Sequence, residues 1–245
     1  MINVLITGCT GMLGATLSKS LLKHFKVYST GRSKFINDKY NCRSFDLNEQ
    51  NYDELILWSN PEIIIHCAAI TNGKYCSENP AIANKINGLS IKKLIDATST
   101  STKIIYISSD AVFSSSTIYP SEKNKTNPES VYGKSKDLGE YYLKKFSKNF
   151  NIVRTTIVGL NVFKKNESFV EWIINSNLKK QKINLFNDVK FNPISIWDFS
   201  KEIKFIIDNN INEKILHISG SEICSKYEFG IQIIRSLNLN LDYVS

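Results

Sequence analysis

Tyr132-Gly133-Lys134-Ser135-Lys136 sets a phenol and an ammonium four residues apart. On a helix such positions share a face. An ammonium beside a phenol favours the phenolate and brings a pKa that is ordinarily about 10 down toward working pH. A phenol tuned in this way can hand a proton to a carbonyl oxygen. The spacing is cheap in a lysine-rich chain, and two further matches occur. Tyr119-x-x-x-Lys123 contains Pro120 and lies in a polar stretch. Tyr141-x-x-x-Lys145 sits nine residues beyond Tyr132; at roughly 100° per residue it points to the opposite helix face. Tyr132 differs in its company. An apolar run ends in Ser108-Ser109-Asp110 and delivers the Ser109 hydroxyl, which can hydrogen-bond the oxygen that Tyr132 protonates.

A second cluster is Gly8-Cys9-Thr10-Gly11-Met12-Leu13-Gly14, directly after the first apolar run and opening a helical one. Glycine lets the backbone turn sharply and approach a pyrophosphate, whose charge then sits on free N–H groups at a helix N-terminus. A tight strand–helix turn is the plainer alternative, but its place after the first strand reads as a dinucleotide turn, with Gly8, Thr10, Gly11, Met12, Leu13 and Gly14 as contacts. NAD sites usually carry an acid about 20 residues further on, at the end of the second strand. The stretch here is Tyr28-Ser29-Thr30-Gly31-Arg32-Ser33, with no carboxylate before Asp38. Arg32 stands where a guanidinium pairs with a 2′-phosphate, so the expected cofactor is NADPH, a hydride donor to the carbonyl that Tyr132 protonates. A solvated loop arginine is the plainer alternative at this position.

These groups need a scaffold, and the chain supplies alternating β-type and helical runs. Strands are expected at 3–7, 26–30, 62–66, 103–108 and 151–155, with helices clearest at 11–25, 80–98 and 128–149. Such alternation predicts an α/β fold, a Rossmann-type doubly wound parallel sheet with helices on both faces, because parallel strands need long crossovers. After residue 155 the pattern changes. Helices near 168–177, 196–208 and 226–237 and short strands near 182–186 and 217–219 predict a small C-terminal substrate-binding lobe. The expected division is 1–155 and 156–245, the second part interleaved with the sheet. Residues 114–127, rich in Ser, Lys and Asn, form the one long loop.

Composition narrows the classes. The 245 residues carry a formal net charge of +8, spread as isolated pairs such as Lys92-Lys93, Lys144-Lys145, Lys164-Lys165 and Lys179-Lys180. No block of five like charges and no aromatic RNA-binding motif occurs, which argues against nucleic acid. No apolar run approaches the roughly 20 residues that cross a bilayer, and Met1 to Gly8 has no charged leader, so the expected location is cytoplasmic, without a membrane partner. Cys9, Cys42, Cys67, Cys76 and Cys224 form no C-x-x-C pair, and His24, His66 and His217 are scattered, so no metal is expected.

Taken together, the chain resembles the extended short-chain dehydrogenase/reductase family, and within it the dTDP-4-dehydrorhamnose reductase group. The carrying residues are Ile6-Thr7-Gly8-x-x-Gly11-Met12-Leu13-Gly14, Thr30-Gly31-Arg32, Phe45-Asp46-Leu47, His66-Cys67-Ala68-Ala69-x-Thr71-Asn72, Ile86-Asn87, Tyr106-Ile107-Ser108-Ser109-Asp110-x-Val112-Phe113 and Asn127-Pro128-x-Ser130-x-Tyr132-Gly133-Lys134-Ser135-Lys136-x-x-Gly139-Glu140, with weaker similarity through Val153-Arg154-Thr155 to Asn192-Pro193 and Asp198. The resemblance implies a catalytic triad of Ser109, Tyr132 and Lys136, with Lys136 also holding the nicotinamide ribose. It implies Asp46 and Leu47 beside the adenine, Ala68 and Ala69 lining the cofactor cleft, and Asn87 supporting the backbone near Lys136. Thr71, Asn72, Asp110 and Arg154 are the expected substrate contacts. The implied reaction is NADPH-dependent reduction of a nucleotide-linked 4-keto deoxysugar in polysaccharide biosynthesis, and a homodimer is the family-based expectation. Two positions beyond the catalytic hydroxyl, dehydratases of the family carry Glu and epimerase-reductases Cys. Ala111 stands there in this chain and can neither take nor give a proton. The group commonly has Tyr at that place followed by Phe-Asp-Gly, where this chain has Phe113-Ser114-Ser115. The alternatives are a 4-epimerase with tightly bound NAD and a non-catalytic NADP-binding regulatory subunit.

Overall fold

The computed structural model describes residues 1–33, 41–48, 50–163, 167–212 and 214–245; Asp38 and the Lys164-Lys165 pair lie outside them. In chain order the elements are β1 (Asn3–Thr7), α1 (Met12–Leu21), β2 (Lys26–Gly31), β3 (Asn41–Ser44), α2 (Tyr52–Ser59), β4 (Ile63–His66), α3 (Gly73–Glu78), α4 (Pro80–Ala83), a π-helical segment (Asn84–Leu89), α5 (Ser90–Ala97), β5 (Lys103–Ser109), a 3₁₀ turn (Asp110–Val112), α6 (Val131–Phe146) and β6 (Phe150–Thr155). There follow β7 (Ile157–Val158), α7 (Phe169–Leu178), β8 (Lys190–Phe191), β9 (Ile194–Ser195), α8 (Ile196–Asp208), β10 (Ile215–His217), β11 (Cys224–Ser225), α9 (Lys226–Ser236) and a last 3₁₀ turn (Leu241–Tyr243).

Seven strands form one parallel sheet in the order β3-β2-β1-β4-β5-β6-β10. The runs Val4-Leu5-Ile6 and Ile63-Ile64-Ile65 are buried throughout, as strands covered on both faces must be. Alternate residues feed two cores. Val4, Ile6, Ile63 and Ile65 pack with Leu13, Leu17 and Leu21 of α1 and Phe199, Ile203 and Ile206 of α8. Leu5 and Ile64 pack on the other face with Tyr52, Leu55, Ile91, Leu94 and Leu143 of α2, α5 and α6. Each fully buried Leu or Ile contributes about 1.5–3 kcal/mol.

The order reverses at β1/β4, which puts the carboxyl ends of β1, β4 and β5 around one crevice, the place where such sheets bind ligands. Beyond β6 the chain returns twice to the main layers, through α8 and the edge strand β10. A separate small core of Ile173, Ile183, Leu185 and Ile234 holds α7 and α9 together.

Two expectations about elements change. The helix expected over 80–98 is broken by the π-helical Asn84–Leu89, which turns Asn87 and Gly88 inward. No strand forms at 182–186. Ile183 instead makes an isolated bridge to Val244, with Ile183 N donating to Tyr243 O at 2.9 Å and Leu185 N to Ser245 O at 2.7 Å, so a single short contact replaces a ladder. Among the described residues no helix is long and apolar enough to cross a membrane.

Candidate active site

Gly8 ends β1 with φ +74°, a left-handed conformation, and a Cβ there would meet the Ala68 backbone at 2.8 Å. A Cβ on Gly14 would lie 2.2 Å from Gly8 O. The glycines let strand end, turn and helix approach one another more closely than side chains permit. Gly11 N donates to Gly8 O at 2.9 Å and closes the turn. Gly11 is also the N-cap of α1, with no side-chain cap and no acid in the first turn, so the helix supplies no anion of its own to the amides of Met12 and Leu13. Thr10 lies against Gly31 at the end of β2: its Oγ1 would be 3.0 Å from a Cβ there. Arg32 follows directly and is exposed. This cradle fits a dinucleotide pyrophosphate with a 2′-substituent near Arg32.

Asp46 and Leu47 follow β3. Asp46 Oδ1 accepts from Asn48 N at 2.8 Å, and Leu47 is buried in the core beside Tyr52. Ala68 and Ala69 are half-buried after β4, and Ala68 N donates to Thr7 Oγ1 at 3.2 Å. Thr71 and Asn72 are exposed, and Asn72 caps α3 by accepting from Tyr75 N at 2.8 Å.

At the end of β5, Ser109 Oγ donates to Asp110 Oδ1 at 2.8 Å and accepts from Ala111 N at 3.2 Å. Ser109 also faces the Tyr132 hydroxyl, which comes from the first turn of α6. Ser130 caps that helix by accepting from Gly133 N at 3.0 Å, and so fixes where Tyr132 begins. Burial pushes the Tyr132 phenol up to about 12, with the Ser109 hydroxyl opposing and Asp110 reinforcing the rise.

This corrects the expectation that Lys136 lowers the acidity threshold of Tyr132. Lys136 runs inward from α6, is 2% exposed, and sets its ammonium 4.0 Å above the centre of the Tyr106 ring. Burial brings it down to about 7, against the opposing pull of Glu140 and Cys67. The two side chains share a helix, but Lys136 is not among the groups that shift the Tyr132 phenol.

Arg154 is the second correction. Its Nε donates to Glu140 Oε1 at 2.9 Å and its Nη2 to Glu140 Oε2 at 2.6 Å, with both residues buried. A guanidinium so engaged supports the sheet–helix joint and is not free to bind substrate. The unused tyrosine–lysine pairs behave as their positions demand. Tyr119 is 80% exposed, and Lys145 Nζ donates to Tyr141 OH at 2.7 Å on the outer face of α6.

Three residues join the site that spacing did not reveal. Asn87 Nδ2 donates to Ser135 Oγ at 2.9 Å and to Ile70 O at 3.0 Å, stitching α6 to the segment after β4. Thr155, opposite Ser109 in the β5–β6 register, has a buried Oγ1 with no hydrogen-bond partner among the described residues. Lys226, at the start of α9, lies 3.5 Å over the Phe191 ring. Burial lowers it and the Asp110 carboxylate raises it, so α9 sets a cation near the end of β5. Asn87 and Thr155 lie in runs that carry the family resemblance, whereas no motif marks Lys226. Among the described residues no group of three or more His, Cys, Asp or Glu is placed to hold a metal ion.

The family model described as "RmlD substrate binding domain" matches residues 2–244. The spore coat polysaccharide biosynthesis protein SpsK of Bacillus subtilis strain 168 is 27% identical over 249 residues, covering 100% of this chain and 83% of that protein. The methionine adenosyltransferase 2 subunit beta of Xenopus laevis is 27% identical over 242 residues, covering 96% of this chain and 72% of that protein. The crystal structure of dTDP-4-dehydrorhamnose reductase from Bacillus anthracis strain Ames, in complex with NADP, superposes with a TM-score of 0.87 at 26% identity, covering 100% of this chain and 84% of that one. The match over residues 2–244 and the shared fold place the chain: it belongs to the RmlD substrate-binding-domain family, among the NAD(P)-dependent oxidoreductases of the extended short-chain dehydrogenase/reductase type.

Proposed function

We propose that this chain is an NADPH-dependent reductase of a nucleotide-linked 4-keto deoxysugar, similar in reaction to dTDP-4-dehydrorhamnose reductase. The observation that carries the reading is that Tyr132, at the start of α6, and Ser109, at the end of β5, face each other at the carboxyl edge of the sheet, where its strand order reverses. The NADP in the Bacillus anthracis relative and the absence of an acid among Tyr28 to Ser33 support the cofactor.

When bound, the reduced nicotinamide supplies a hydride to the carbonyl carbon. Ser109 turns its hydroxyl proton from Asp110 to the carbonyl oxygen and holds that oxygen against Tyr132. Tyr132 releases its phenolic proton to that oxygen as it gains alkoxide character, so C=O becomes CH–OH. A phenol held near 12 stays protonated until that moment and then faces an oxygen more basic than itself. Lys136 holds the nicotinamide ribose, the turn from Gly8 to Gly14 holds the pyrophosphate, and Arg32 holds the 2′-phosphate. Thr71, Asn72 and Asp110 meet the sugar, and Lys226 supplies the cation for its diphosphate. Ala111 offers no second acid or base, which argues against dehydration and against C3 or C5 epimerisation.

The likeness to a methionine adenosyltransferase subunit favours a second reading, a non-catalytic NADP-binding subunit. One experiment separates the readings. Purified protein is mixed with NADPH and with dTDP-, UDP-, GDP- and CDP-linked 4-keto sugars, and loss of reduced-nicotinamide absorbance is followed with product mass. A product two hydrogens heavier in one arm supports reduction. NADPH binding without turnover in every arm supports the subunit. Protein that purifies with stoichiometric NAD and interconverts 4-hydroxyl epimers is a 4-epimerase.

A further inference from the structure

Tyr106 stands in the middle of β5 and is fully buried, yet three polar or charged contacts converge on it. The Lys136 ammonium lies 4.0 Å above its ring centre. Its hydroxyl donates to Asn87 O at 2.9 Å and approaches Lys136 O at 3.2 Å. On the β4 side its ring stacks with His66 at 5.9 Å between centroids. The fit is closed by Gly139, where a Cβ would come within 2.5 Å of the Tyr106 hydroxyl, so α6 reaches this ring only because it carries no side chain at that point.

A buried ammonium is costly without compensation. The groups facing Lys136 are Glu140 of its own helix, Cys67 and His66 from the end of β4, and Tyr106 of β5. His66 is held neutral, its pKa depressed to about 3, and Cys67 is held as the thiol, its pKa raised to about 12. Glu140 is already shared with Arg154 and Ser108. The ring face of Tyr106, in direct contact with the ammonium, carries partial negative charge to meet it.

We propose that Tyr106 is a positioning residue for Lys136: its ring supports the ammonium, and its hydroxyl, bridging the backbones of Asn87 and Lys136, sets the height at which that ammonium meets the site. The proposal rests on the reading of Lys136 as the ribose-holding lysine.

The test uses the full chain and NADPH as the probe, with affinity followed by nucleotide fluorescence across pH 5.5–9.5. The protonated lysine binds, so affinity falls as pH rises through its ionisation, which begins near 7 in the free protein. Lys136→Met gives the baseline and subtracts titration of the 2′-phosphate. Position 106 is then filled with Phe and with its mono-, di- and trifluorinated ring analogues, near-isosteric side chains whose ring faces lose negative charge stepwise. Each fluorine is expected to lower the break in the pH profile, by about one pH unit over the series, as a desolvated cation–π contact of 1–2 kcal/mol requires. Tyr106→Phe without fluorine keeps the break and weakens NADPH a few-fold through the lost bridge. A break that stays constant across the fluorinated series overturns the proposal. A wild-type profile that superposes on Lys136→Met overturns the underlying reading of Lys136 instead.

Discussion

Glu140 of α6 and Arg154 of β6 meet through two hydrogen bonds, of 2.9 and 2.6 Å, beneath a surface that leaves neither side chain more than 3% exposed. Ser108 Oγ donates to the same carboxylate at 2.7 Å, and the Arg154 guanidinium lies over the Phe113 ring at 4.9 Å. The pair thus clamps α6 to β5 and β6 directly under Ser109 and Tyr132. Removing one member of a buried pair strands the other. Glu140→Gln is expected to lose about 3–5 kcal/mol of stability, read from urea unfolding. Arg154→Lys, which loses the fork geometry, should fall in between.

Tyr132→Phe keeps the ring and removes the proton. Turnover should drop by about 10²–10⁴-fold while NADPH affinity stays within a factor of two or so. Retained turnover would take Tyr132 out of the mechanism.

Arg32 is exposed at the end of β2, next to the turn that holds Thr10 against Gly31. A charge-assisted contact to a 2′-phosphate contributes about 1.5–3 kcal/mol. Arg32→Ala should therefore lower the preference for NADPH over NADH by about 10- to 100-fold in kcat/KM, with NADH values little changed. An unchanged ratio assigns the discrimination to other residues.

His66 gives the fold a pH dependence of known sign. Its ring contacts Thr7 Oγ1 at 3.0 Å and Ser90 Oγ at 3.4 Å, and burial, with Lys136 nearby, depresses its pKa to about 3. The unfolded chain binds this proton near pH 6.5 and the folded one does not until about 3. Stability present above pH 6.5 is thus lost as pH falls through that window, by up to about 1.4 kcal/mol per pH unit. The difference between wild type and His66→Gln in urea midpoints at pH 7 and pH 4.5 isolates this contribution. A slope identical in both proteins would show that His66 titrates normally.

Local chemistry made much of this protein readable in one dimension. Asn3–Thr7 and Ile196–Asp208 are marked by their apolar pattern, because a strand buried on both faces and an amphipathic helix each write their burial into neighbouring positions. The Gly8 to Gly14 turn was equally legible, since a left-handed residue and two close backbone approaches admit few other side chains. Period fails where the backbone departs from a regular helix, as at Asn84–Leu89, or where a contact is too short to form a ladder, as at Ile183 and Val244.

The destinations of charges were decided by the fold alone. Sequence places Lys136 four residues after Tyr132, yet the direction of its side chain depends on β5 presenting a tyrosine face and on Gly139 allowing the approach. Arg154 reads as a free cation at a strand end until Glu140, fourteen residues earlier, is folded onto it. Lys226 and Asp110 are remote in the chain and interact only because the start of α9 returns to the sheet edge. Spacing along a helix or strand constrains neighbours a few residues apart, whereas desolvation and pairing depend on residues that only packing brings together.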